Sequence, residues 1–140
     1  ATFVQLAIKE ALTGPQNKVI EMVADFKERR DLIVNLLNEI PGIRCHKPSG
    51  AFYVFPNVTE AIKELGFRNA NDLQQFLLHK AGVAVLTRNH FGKKFPNESQ
   101  EYLRLSYATS RKAINEGIEK IKSVMENKFL IQEFKKEQGI

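Results

Sequence analysis

Along the first forty residues, apolar positions recur every three or four places, the spacing of a helix that buries one face. Phe3, Val4, Ala7, Ile8, Ala11 and Leu12 predict a helix over residues 3–12, which Gly14 and Pro15 in "TGPQ" break. Val19, Val23, Phe26, Ile33, Leu37 and Ile40 predict a long second helix from Asn17 to Glu39. Arg30 interrupts its stripe, and "PG" at 41–42 ends it by removing a donor and permitting a left-handed residue. "IRCHK" and "AFYVFP" then read as strands on either side of "PSG", and 57–69 reads as a loop with one helical turn at 60–65. Leu73, Phe76, Leu77 and Ala81 mark another helix, with Asn71 as its N-cap, Gln74 three residues on, and Gly82 as its stop. "VAVL" at 83–86 has the look of a short buried strand. A connection of roughly fifteen residues follows, a length that is usually functional or mobile. "YLRLSYATS", 102–110, alternates: Leu103, Leu105 and Tyr107 point one way, Tyr102, Arg104 and Ser106 the other. A final helix starts after Thr109 or Ser110, with Ile114, Gly117, Ile118, Ile121 and Met125 on one side, and 127–140 are expected to extend it and then fray.

This order of elements predicts an α/β class of α+β-like character: one small sheet packed against helices. At 140 residues, with 43% hydrophobic and 26% charged positions, the chain has material for one globular domain and too little for two ordinary ones. No apolar run approaches the roughly 20 residues of a membrane span. The N-terminus has no basic segment leading into an apolar one, so no signal peptide is expected. The single Cys45 excludes an internal disulfide framework and points to a reducing compartment, so a cytoplasmic location without a membrane partner is expected. A first residue of Ala suggests a processed protein or a piece of a longer one. The net charge is +5, but opposite signs interleave, as in "DFKERRD", which fits a solvated helix face. One denser basic cluster stands out, "TRNHFGKKF" at 87–95, with Arg88, His90, Lys93 and Lys94.

Candidate chemistry is sparse. Arg104 lies in an otherwise apolar strand, where an unpaired guanidinium is costly. It either snorkels to water or pairs with a neighbour such as Glu101, or it presents a rigid planar fork to a carboxylate or phosphate. "PSGAFYVFP", 48–56, is either a turn into a core strand or a sheet segment that stacks on nucleic acid. The second reading fits poorly, because Phe52 and Tyr53 are adjacent and point oppositely; the basic loop 87–95 shares its weight. His46, His79 and His90 lack metal-ligand spacing, and Cys45 reads as a buried small residue. A phosphate loop, a nucleophile elbow and clustered carboxylates are all absent. An interaction domain without a site, self-associating through the apolar face of residues 3–12, is the plainest alternative.

Taken in order, "ATFVQLAIKEALTGP", "VADFKERRDLIVNLLNEIPGI", "KPSGAFYVFPNV", "AGVAVL", "FG" and "YLRLSYATS" resemble the C-terminal portion of class I/II aminotransferases. These are fold-type I enzymes of the aspartate aminotransferase superfamily, dependent on pyridoxal phosphate. The resemblance covers about residues 1–126. It implies a small domain with a mostly antiparallel or mixed sheet: 1–16 as the end of the large domain and linker, 17–126 as the small domain, and 127–140 as a helical extension or tail. It implies that Arg104 binds the substrate α-carboxylate, with Gly50, Ala51 and Phe52 as secondary neighbours. The loop before that strand departs from the family's proline-glycine pattern, reading "TRNHFG" here, and leaves Arg88 and His90 without an implied role. The cofactor lysine and the large-domain residues that hold the ring and phosphate have no counterpart in this chain. The resemblance therefore implies a parent that uses pyridoxal phosphate on amino-acid and 2-oxo-acid substrates, a large domain on the same polypeptide, and a homodimer. No cofactor is expected on these residues alone, and nucleic acid is not an expected partner.

Overall fold

The alternation in "LRLS" becomes the middle strand of a small sheet. The computed structural model describes residues 1–140. Its elements are α1 (Thr2–Thr13), α2 (Asn17–Asn38), β1 (Tyr53–Val54), α3 (Thr59–Leu65), α4 (Ala70–Phe76, widening to a π-helical turn over Leu77–Ala81), β2 (Leu86–Thr87), β3 (Leu103–Ser106), α5 (Arg111–Glu126) and α6 (Lys128–Gln138). The strands run antiparallel in the order β1-β3-β2, with Val54 opposite Leu105 and Leu86 opposite Arg104. This is the predicted class, a small sheet with helices against it. No helix is long and apolar enough to cross a membrane.

The two sides of β3 have different fates. Leu103, Leu105 and Tyr107 are buried in one core with Val54, Ile33, Leu37, Ile114, Ile118 and Ile121, so α2 and α5 cover that face. Arg104 and Ser106 lie on the opposite face, with Tyr53 of β1. The helix layer is tied together at its edge by Arg111 of α5, which bonds Asp25 at 2.6 Å and Glu28 at 2.5 Å on α2.

Several local outcomes differ from the sequence reading, each for a visible reason. "IRCHK" forms only a bridge, Arg44 to Asn57, because the side-chain amide of Asn38 takes both backbone groups of Cys45, donating to its carbonyl at 3.0 Å and accepting from its N–H at 2.8 Å. "VAVL" likewise pairs only from Leu86 onward, since Gln74 Nε2 donates to the Val85 carbonyl at 2.8 Å in place of a strand partner. The cap of α4 is Asn69, not Asn71: its backbone is extended and its side-chain oxygen accepts from the N–H groups of Asn71 and Asp72. Gly82, at φ +65°, does end that helix.

Residues 127–140 do not fray. Asn127 breaks the helical path at φ −88° and ψ 93°, and its side chain caps α6 by accepting from Phe129 and Leu130. Ile131 and Phe134 are buried, and the Phe134 ring meets Phe67 at 5.8 Å and Phe76 at 5.4 Å. Lys80 clamps the same junction through Glu133 at 2.7 Å and Glu137 at 3.1 Å. The opposite end behaves differently. No residue of α1 is buried, and in α2 only Ile33, Val34 and Leu37 are, so Val19 and Val23 sit exposed on the stripe predicted to be covered.

Candidate functional site

Strand β3 presents Arg104 on the face that no helix covers. Its guanidinium carbon lies 5.0 Å from the ring centre of Tyr53 and 4.6 Å from that of Phe91. Tyr53 belongs to the adjacent strand β1, while Phe91 closes a 3-10 turn, Arg88–Phe91, just after β2. The side chain is half-buried, yet it makes no hydrogen bond or ion pair with any residue of the chain. Glu101, the candidate internal partner, is engaged elsewhere: it pairs with Lys94 and accepts from the Ala70 N–H at 3.0 Å. Two aromatic faces thus hold a cation whose five N–H donors remain unspent.

Arg104, Tyr53, Phe55, Phe91 and Arg88 line one open depression of about 320 Å³. Its second arginine is already committed. Arg88 Nε and Nη2 bond the two carboxylate oxygens of Glu98 at 3.1 and 3.3 Å, and its other contacts are the carbonyls of Gly92 at 3.0 Å and Lys93 at 3.2 Å. A planar cation on a strand, with aromatic walls and no internal counter-ion, suits a planar anion; a carboxylate can take two parallel N–H bonds from it. The basic cluster 87–95 is less cationic than it reads, because Arg88 and Lys94 are paired with Glu98 and Glu101.

The "SGAF" turn lines a different depression. Gly50, Ala51 and Phe52 face Val23, Phe26, Lys27 and Arg30 of α2 and the ring of Tyr107, around about 350 Å³. Ala51 is the one non-glycine residue with positive φ, at +66°, a conformation that costs an L-residue roughly 1–2 kcal/mol. Tyr107 holds it there: its hydroxyl donates to the Ala51 carbonyl at 2.8 Å and its N–H to the Phe52 carbonyl at 2.9 Å. Burial pushes the Tyr107 hydroxyl above its ordinary pKa, which keeps that donor protonated. So the structure brings Arg104 and the turn to separate depressions, not to one; the Tyr107 and Ser106 bonds to Ala51 and Phe52 tie the turn to the strand that carries Arg104, and the Phe52 and Tyr53 rings meet at 5.6 Å.

Cys45 is buried, and desolvation pushes its thiol up to about 11, away from nucleophile chemistry. His46, His79 and His90 do not converge with other metal-binding side chains. Sequence reasoning missed Tyr53, Phe91 and the Arg88–Glu98 pair. Tyr53 carries a usable signal, since alternation sets it opposite the core-facing Val54. Phe91 and Glu98 carry none, because they reach the site from an irregular loop.

The family model described as aminotransferase class I and II matches residues 1–121. The chain is 41% identical over 116 residues to an aspartate aminotransferase of Bacillus subtilis, covering 83% of this chain and 28% of that protein. It is 42% identical to a probable aspartate/prephenate aminotransferase of Aquifex aeolicus, covering 89% and 30%. Among solved structures, it is similar to an aromatic aminotransferase from Pyrococcus horikoshii, with a TM-score of 0.77, 34% identity and coverage of 92% and 32%. An aspartate aminotransferase from Rhizobium meliloti gives a TM-score of 0.72 at 35% identity, covering 83% and 29%. The chain therefore spans less than a third of the length of the relatives it matches.

Proposed function

The chain belongs to the class I and II aminotransferases, and from that premise we propose that it is the small domain of a pyridoxal-phosphate-dependent parent, in which Arg104 receives the substrate α-carboxylate. In this reading 1–16 end the large domain and lead out of it, 17–126 form the small domain, and 127–140 complete its core as a helical extension. The observation that carries the reading is a half-buried guanidinium with no partner in its own chain, held between two rings beside an open depression. Its unspent donors open onto that depression, where a carboxylate can take two parallel N–H bonds from them.

The residues present do not fit the cofactor itself. Pyridoxal phosphate needs an amine to hold it and a cradle of donors for its phosphate, and the depression beside Arg104 is lined by no lysine, while its other arginine is tied to Glu98. The cofactor is assigned to the rest of the parent. What falls to this chain is binding, orientation and exclusion of water. A carboxylate paired to Arg104 favours docking of the small domain against the large one, and the closed state strengthens the pair by removing solvent. Gly50, Ala51 and Phe52 are assigned as secondary neighbours of the substrate; the contact of the Phe52 ring with Tyr53, which holds Arg104, supports this. The uncovered apolar side chains of α1, among them Phe3, Leu6 and Leu12, support a large domain or a second subunit of a homodimer lying over them.

The test is Arg104→Ala and Arg104→Lys in the full-length enzyme. Both are expected to lower kcat/KM for every amino acid and 2-oxo acid tried, by about a hundredfold if a charge-assisted pair of roughly 3 kcal/mol is lost, while cofactor loading survives. Unchanged activity on several amino acids contradicts the assignment.

A further inference from the structure

The loop between β2 and β3 is anchored at its far end, where the Glu101 N–H donates to Thr59 Oγ1 of α3 at 2.9 Å and the Glu101 carboxylate accepts from Ala70 of α4, and its first half delivers one of the two rings that hold Arg104. Phe91 is 44% exposed, so burial does not fix it. Its ring meets that of Phe55 nearly at right angles at 6.0 Å and the Arg104 guanidinium at 4.6 Å. Two pairs tie the loop, Lys94 with Glu101 and Arg88 with Glu98, and Arg88 is the one that reaches the residues next to Phe91. The Arg88 backbone N–H donates to the Tyr102 carbonyl at 3.1 Å, anchoring the turn beside β3. Its side chain spans the loop's interior to Glu98 and to the carbonyls of Gly92 and Lys93. Glu98 answers by accepting from the Phe95 N–H at 3.1 Å. The two side chains are only 15% and 16% exposed, so this is a largely dry, two-pronged pair, and removing one partner leaves the other charge uncompensated, which is costly.

We propose that the Arg88–Glu98 pair is a clasp that seats Phe91 on Arg104 and so pre-sets the guanidinium for its carboxylate; Arg88 and Glu98 are positioning residues, not substrate ligands. The inference rests on the reading of Arg104 as the carboxylate site. A long arginine free to choose among rotamers loses conformational freedom when it binds, and a side chain already stacked between two rings loses less. Tyr53, fixed on β1, supplies the permanent half of that restraint. Phe91 supplies the half that depends on the clasp.

The experiment uses the full-length enzyme with Glu98→Gln, Arg88→Gln, Phe91→Ala and the double variant Glu98→Gln/Phe91→Ala, alongside Arg104→Lys. The readouts are KM and kcat for L-aspartate, L-alanine and L-phenylalanine, and Ki for two unreactive carboxylates, succinate and 3-phenylpropionate. Loss of one cation–π restraint is expected to raise KM and Ki about three- to tenfold for all five probes, with kcat nearly unchanged. The double variant is expected to match Phe91→Ala alone, because both changes remove the same contact. A general weakening of structure would lower thermal stability without that match and without the split between KM and kcat. If Arg104→Lys weakens the carboxylates but the clasp variants and Phe91→Ala leave Ki unchanged, the clasp is refuted alone; if Arg104→Lys itself leaves Ki unchanged, the carboxylate reading has failed first. If Phe91→Ala weakens the carboxylates while Glu98→Gln and Arg88→Gln do not, the clasp is refuted and only the ring contact stands; should those two variants not fold, Arg88→Lys, which keeps the charge but loses the two-pronged pair, takes their place with the same two outcomes.

Discussion

An arginine in the middle strand of a sheet and a thiol under a helix show how strongly a residue's surroundings decide its chemistry. Arg104 faces away from the core, so its charge is tolerated without an internal partner and remains available. Its side of the strand is legible from alternation alone, whereas the rings that hold it come from another strand and a loop, and pairing across the sheet must be known before they appear. Cys45 faces inward, and desolvation holds its thiol in the protonated form up to about 11, from an ordinary 9.0. A group that keeps its proton longer when folded contributes stability that is intact below the unfolded pKa and is lost as pH rises through the folded one. Between pH 8 and 10.5 the chain is therefore expected to lose on the order of 1–2 kcal/mol more stability than its Cys45→Val variant in urea titrations. Equal losses in the two proteins contradict this burial effect.

At the level of elements, periodicity succeeds where an element buries a stripe against the core and falls short where a side chain replaces a backbone partner. Helix α5 is legible because Ile114, Ile118 and Ile121 all reach the core and Ser110 caps it by accepting from the Ala113 N–H. "IRCHK" and "VAVL" are overread as strands because nothing in their own composition reveals that Asn38 and Gln74 will take their backbone groups. The last fourteen residues are underread for a related reason: Ile131 and Phe134 look like a sparse tail until Phe67 and Phe76, some sixty residues earlier, supply the surface they bury against. Phe134→Ala is expected to cost about 3–5 kcal/mol in chemical denaturation, the range for emptying a buried aromatic site. A loss below about 1 kcal/mol would mean that α6 is peripheral.

For the whole molecule, two regions contrast. Residues from the middle of α2 to α6 share one core, whereas α1 and the first half of α2 project apolar side chains with nothing over them. That asymmetry is expected of a domain whose helical lead-in packs on material outside these residues, in keeping with coverage of less than a third of its relatives. The division of labour in the proposal follows: the 140 residues alone are expected to show no saturable binding of pyridoxal phosphate at one equivalent, by absorbance, and no transamination. Stoichiometric binding or turnover would overturn it. The class of fold, the side of β3 that carries Arg104 and the family resemblance can be read from the chain itself; the clasped loop cannot, because its shape depends on Arg88 and Glu98 meeting across ten residues with no periodic signature.

The central claim is that Arg104 is the seat of an incoming carboxylate. The most direct measurement is a crystal structure of the full-length enzyme with an amino-acid substrate or a 2-oxo acid bound. Two carboxylate oxygens within hydrogen-bond reach of the Arg104 guanidinium, at roughly 2.7–2.9 Å, is the result predicted. A substrate carboxylate held by other residues, with Arg104 still unpartnered between its rings, would contradict the account.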